Sequence, residues 1–156
     1  MPKKFETEPI SDDEWLFRRV HTSRFRTNKT PYVSPGAFEP RVKGNDPDDD
    51  GISLFRSDCL ETAEEILAQI HDAEKRNANG IVKLLVSEVK AIGLTVIATP
   101  REGIRGHVSI PEMSSQAFSH KDSRLRCEEW MYRLAEFASP EDRIVVPPIP
   151  LNPRNK

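Results

Sequence analysis

Cysteine is almost missing from this chain: Cys59 and Cys127 are the only two among 156 residues. Two thiols cannot make the disulfide framework that staples small secreted domains. Histidine is sparse as well, and His21, His71, His107 and His120 show none of the short spacings of zinc ligands, so no metal is expected. No apolar run reaches the ~18 residues of a membrane span. The opening Met1-Pro-Lys-Lys-Phe-Glu6 is charged, so no secretory segment is expected. There is no Walker loop, dinucleotide fingerprint or nucleophile elbow, and no cofactor is expected. These absences lead to the expectation of a cytoplasmic protein with reduced, structural thiols and no membrane partner.

Charge of one sign is lacking too. Lysine and arginine total 23 against 25 acidic residues, a net charge of −2. The whole-molecule field therefore favours neither nucleic acid nor an anionic surface, and only a local patch can. Apolar residues make up 37% and charged residues 31%, with mean hydropathy −0.58. That is polar for a globular chain, so part of it is expected outside the packed core. The prolines point to which part.

Residues 1–13 read as a polar arm, 14–139 as one domain with a long irregular loop at 21–50, and 140–156 as a Pro-rich tail without regular structure. Glu14-Trp-Leu-Phe-Arg-Arg-Val20 suits a strand, with a short helix as the alternative. A second strand follows Gly51 as Ile52-Ser-Leu-Phe-Arg56. Thr62-Ala-Glu-Glu65 has the form of a capping box and opens a helix over 61–77. Residues 81–86 are a strand or the start of a helix ending at Gly93. Leu94–Thr99 reads as a buried strand, which pairs in a hairpin with His107–Ile110 across Gly103-Ile-Arg-Gly106. Helical spacing returns over 122–138. The order predicts an α+β fold, a small mixed sheet with two main helices packed on one face.

Three clusters are candidate sites. Asp46, Asp48, Asp50 and Gly51 resemble the start of a calcium loop, but Ser57 stands where a bidentate glutamate is needed, so a solvated acidic loop is preferred. Arg18, Arg19, Arg24, Arg26 and Lys29 form a basic stretch without an acidic residue, with Phe25 and Tyr32 interleaved. Guanidinium forks suit phosphate, although such runs are commonly just solvent-facing. The third set is dispersed: His107 can transfer protons near neutral pH, Ser53 lies on the second strand, and Glu112 follows His107 closely enough to supply a carboxylate.

The motifs Glu14-Trp-Leu-Phe-Arg-Arg-Val20, Ser34-Pro-Gly-Ala-Phe38, Gly51-Ile-Ser53, Gly93-Leu-Thr-Val96, Pro100 and Gly106-His-Val108 resemble a family of small uncharacterised bacterial proteins. That family has a Leu-Tyr/Phe-Arg-Arg strand, a Ser-Ala-Phe segment, a Leu-Ser-Val strand and a late His-bearing strand. It carries no established activity. The early Leu-Phe-Arg strand, long loop and Ser-bearing strand are also similar to the opening of ADP-ribosyltransferase-like toxin domains. That resemblance implies Arg18 for dinucleotide phosphates, Ser53 in the pocket wall and Glu112 as the late acidic residue.

Two functions follow as expectations. One is a non-catalytic bacterial accessory protein that binds a protein partner, suggested by the Pro-rich tail. The other is a small enzyme or toxin acting on a nucleotide or RNA, gripping phosphate with Arg18 and Arg19. The second requires the Arg-bearing and His-bearing strands to share a sheet.

Overall fold

The computed structural model describes residues 4–26, 33–44 and 47–148. Its strands are β1 (Trp15–His21), β2 (Ile52–Arg56), β3 (Asn79–Leu85), β4 (Ile97–Ala98), β5 (His107–Ile110) and β6 (Ile144–Val146). Its helices are α1 (Glu64–Leu67), α2 (Ala73–Asn77), α3 (Val86–Ala91), α4 (Ser115–Ser119) and α5 (Lys121–Ala138). The strands form one sheet in the order β4-β5-β2-β1-β3-β6.

Side-chain alternation sorts the two faces. Leu16 and Val20 of β1, Ile52 and Leu54 of β2, Val82 and Leu84 of β3, and Val108 and Ile110 of β5 point one way. They pack with Cys127, Met131, Leu134, Ala135 and Ala138 of α5. Phe17, Phe55 and Ile81 point the other way, against Leu60, Ala63, Ile66 and Leu67 around α1. Two glycines make the close approaches possible. A Cβ on Gly51 (φ 109°) would lie 2.0 Å from the Ile110 carbonyl oxygen, and one on Gly106 (φ 79°) 2.9 Å from Cys59 Cβ. Gly106 accepts the Arg56 N–H at 2.8 Å, and so sets where β5 and His107 begin.

The α+β class expected from the element order holds, with four differences. Every strand pairing is antiparallel, so the sheet is not mixed. The helices cover both faces rather than one, because β1, β2 and β3 are apolar on both sides. The helix expected over 61–77 is two short ones. Asp72 accepts the N–H groups of Glu74 and Lys75 at 2.9 and 3.2 Å and starts α2 afresh. At the first start only half of the expected box forms: Glu65 takes the Thr62 N–H at 2.9 Å, but α1 is entered through Ala63 without a side-chain cap, the Glu65 N–H going to the Thr62 carbonyl. Finally, Leu94–Thr99 is an exposed two-residue edge strand in which Leu94 alone is buried.

The flanking segments are more ordered than their composition implies. Within the loop at 21–50, a 3-10 turn at Pro35–Phe38 places Ala37 and Phe38 in the main core. Within the tail, Arg143 makes a two-pronged ion pair with Glu88 at 2.8 and 2.7 Å, and β6 then joins the sheet beside β3. The N-terminal arm is held by Arg56, whose side chain is wholly buried. Its guanidinium bonds both Glu14 carboxylate oxygens at 2.9 Å. It also bonds the carbonyls of Glu6, Glu8 and Pro9 at 3.3, 2.7 and 3.2 Å.

These pairs make stability acid-sensitive. Burial is the largest influence on Glu14 and pushes its pKa up. The Arg56 hydrogen bonds, the Ser11 N–H, the Arg56 charge and Lys4 together outweigh it and hold the group below its ordinary 4.5. Glu88 is also low, chiefly through the Arg143 hydrogen bond against burial. Because the folded values are depressed, the unfolded chain binds more protons as the medium acidifies. The stabilisation is complete above about pH 4.5 and is lost as pH falls through the folded values. Urea midpoints are therefore expected to hold from pH 7 down to about pH 5 and to fall below it. The fall should be shallower in Glu88→Gln; an identical acid limb in that variant would contradict the assignment.

Candidate functional site: an arginine-lined cleft

A cleft of about 330 Å³ opens on the α1 face of the sheet. Arg18, Arg19, Arg41, Arg101, Ser53 and His107 line it. Phe55, Gln69, Ile104 and Glu102 complete its walls. The strand carrying Arg18 and Arg19 and the strand carrying His107 belong to one sheet, with β2 and its Ser53 between them.

Arg18 reaches the cleft by an unusual route. The β1–β2 register runs Leu16 with Arg56 and Phe17 with Phe55. Beyond that point the side chain of Arg18, rather than the β1 backbone, meets β2: Nη1 donates to the Ser53 carbonyl at 2.8 Å. Nε donates to the Ala37 carbonyl at 3.1 Å, and the guanidinium lies 5.7 Å from the Phe38 ring centre. Two carbonyls and a ring thus hold the fork in place. Nη2 has no hydrogen-bond partner among the described residues and is left to the cleft.

The arginines repel one another. Burial, opposed by Asp48 and reinforced by Arg19 and Arg41, pushes Arg18 down to about 10. Arg19 is lowered by burial and then by Arg41. Neither Arg18 nor Arg19 has an ion pair with a carboxylate among the described residues. A cluster of this kind is relieved by an anion brought from outside.

His107 and Ser53 make the second part of the site. His107 is only 3% exposed and lies edge-on to Phe55, ring centres 5.3 Å apart. Its Nδ1 is 2.8 Å from the Thr99 carbonyl oxygen and 2.7 Å from Thr99 Oγ1, which is itself 2.8 Å from Ser109 Oγ. A carbonyl oxygen only accepts, so Nδ1 carries the hydrogen and the neutral ring presents a lone pair at Nε2. Ser53 Oγ, 2.9 Å from Nε2, is the donor to it.

Family models, curated proteins and solved structures yield no match to this chain.

Not every residue singled out from sequence joins it. Glu112 lies past the end of β5 on the turn Pro111–Met113, where its carboxylate takes the Thr95 N–H at 3.0 Å and the Thr95 hydroxyl. Arg24 packs against Gly36, and neither it nor Arg26 lines the cleft. Lys29, Tyr32 and Asp46 lie outside the described residues. Asp48 and Asp49 are tied to their own loop and to Ser115 rather than grouped as ligands, and no metal-binding group of three acidic, His or Cys residues occurs among the described residues. No helix among them is long and apolar enough to cross a membrane.

Arg41 and Arg101 were not apparent from the sequence. Arg101 had a signal: it follows Pro100 within the same hairpin as His107. Arg41 had none, since only the fold of the 33–51 loop brings it to β1.

Proposed function

We propose that this chain binds a nucleotide in the arginine-lined cleft and acts on it with His107 as the proton-transfer group. The observation that carries the reading is the convergence of Arg18, Arg19, Arg41 and Arg101 on one concavity that also holds Ser53 and His107. Guanidinium forks recognise phosphate oxygens two at a time, and the mutual repulsion of Arg18, Arg19 and Arg41 adds to the affinity. A second concavity, of about 500 Å³, shares Arg19 with the first. His21, Ile70, Lys75, Ala78 and Asn79 line it, and its surface is more carbon than heteroatom. A cationic cleft beside a more apolar pocket, with Arg19 in the wall of both, matches the phosphate and base ends of a nucleotide.

The reading preferred from the sequence, a non-catalytic protein binder, rests on the Pro-rich tail and the polar arm. Residues 149–156 lie outside the described residues, and Ile144–Val146 before them is a strand of the sheet. The cleft favours the nucleotide reading.

Melting in phosphate against chloride at equal ionic strength tests it. Phosphate at about 100 times its dissociation constant stabilises by roughly 2.7 kcal/mol, which raises the midpoint by several degrees in a chain of this size. AMP is expected to act at lower concentration than phosphate, and Arg19→Ala/Arg41→Ala to lose both effects. Equal melting in phosphate and chloride, with no AMP effect, would reject the reading.

A further inference from the structure

We propose that Ser53 is a nucleophile that accepts a phosphoryl group, with His107 as its base, making the cleft a site of phosphate-ester hydrolysis. The inference rests on the reading that the cleft holds phosphate, and adds a covalent step to it. Covalent catalysis by serine needs a hydroxyl within hydrogen-bond reach of a base, and a third group that fixes the base. All three are present: Ser53 Oγ at 2.9 Å from Nε2, and the Thr99 carbonyl at 2.8 Å from Nδ1.

The placement of the pair agrees with that role. His107 is shielded, whereas Ser53 is half-buried and lines the cleft, so the ligand meets the hydroxyl before it meets the imidazole. The backbone adds to this. Ser53 pairs with Ser109 and Phe55 with His107, so Ser53 and His107 lie diagonally on adjacent strands of one face. Their separation is set by the sheet rather than by a loop. The Ser53 carbonyl is itself held by Arg18, which ties the proposed nucleophile to a phosphate-binding guanidinium through one residue.

The step balances without a further reagent other than water. Ser53 Oγ forms a bond to phosphorus while the bond from phosphorus to the leaving oxygen breaks. The serine proton passes to His107 Nε2, and the resulting imidazolium delivers it to the leaving oxygen. The Thr99 carbonyl stabilises the imidazolium at Nδ1–H. In the second half, water attacks phosphorus, His107 takes a water proton, and the bond to Oγ breaks with the proton returned to serine. The products are an alcohol and inorganic phosphate, and no oxidation occurs. Arg18, Arg19 and Arg41 offset the charge on the phosphoryl oxygens throughout.

The full chain incubated with p-nitrophenyl phosphate tests the inference. Nitrophenol release is expected, together with a phosphoryl adduct in the intact mass of acid-quenched protein that maps to Ser53. Ser53→Ala should lose adduct and turnover while keeping the phosphate-dependent rise in melting temperature. His107→Gln should slow adduct formation by about 100-fold or more. A phosphate-dependent melting shift with no adduct and no turnover would overturn the nucleophile and leave the binding reading standing. Absence of the melting shift in the parent would overturn the binding reading and the nucleophile with it.

Discussion

Arg56→Met is expected to lower folding stability by about 3–5 kcal/mol. The side chain has no exposure and ends in five hydrogen bonds, two to Glu14 and three to carbonyls of the arm. Methionine fills much of the same volume, so the loss is electrostatic rather than a cavity. It strands a carboxylate that is itself only 2% exposed, and a buried charge without its partner is costly. Lys4, at 3.3 Å, reaches only one oxygen of Glu14 and sits at the surface. In thermal melts the change corresponds to roughly 10 °C for a chain of this length. The double variant Arg56→Met/Glu14→Leu should regain part of the loss, since no charge is then stranded, although the Glu6, Glu8 and Pro9 carbonyls still lack a donor. A single variant within 1 °C of the parent would mean that the pair is not the clamp described.

Arg56 also shows where sequence reading runs out. The strand Ile52-Ser-Leu-Phe-Arg56 is legible from its alternation, and an arginine at such an end reads as a solvent-facing terminus. Its burial depends on the arm folding back over it, and the arm has no periodicity to announce that. The short helices failed for the opposite reason: apolar spacing over 62–73 mimicked one helix, and the Asp72 cap that divides it is a local signal outweighed by the pattern. Residues whose partners lie within one strand or hairpin were the easier ones. The turn residues Gly103 and Gly106 announce the β4–β5 hairpin, whereas Ser53 and His107 meet only because β2 pairs with β5 from far along the chain, which no spacing announces. Arg41 and Glu112 depend on loop paths, for which spacing carries no information. The mixed sheet was inferred from element order alone, and order does not settle strand direction when connections are long enough to allow either.

Arg18→Lys is expected to weaken phosphate binding at neutral pH by roughly 10–100-fold, and by more, relative to the parent, as the pH rises. The guanidinium serves the Ser53 and Ala37 carbonyls with two of its nitrogens and keeps a third for the cleft. An ammonium is a point donor and cannot span the same three directions. Its charge is also less secure. Burial, with repulsion from Arg19 and Arg41, brings even this arginine down to about 10, so a lysine, ordinarily near ~10.4, is driven toward neutrality in the working range. For a cation with a depressed folded pKa, the charged form is disfavoured in the fold below that pKa, and a bound anion offsets this cost. Between pH 7 and pH 9 the parent's affinity should change only with the second ionisation of phosphate itself, and it should fall as pH rises through about 10. The lysine variant should weaken relative to the parent already between pH 7 and pH 9. Arg18→Ala goes further, because both carbonyls lose their donor, at about 2–5 kcal/mol of stability in all. Calorimetric titration with phosphate at the two pH values separates the cases: a lysine variant with the parent's affinity at both would show that Arg18 braces the sheet and takes no part in holding the anion.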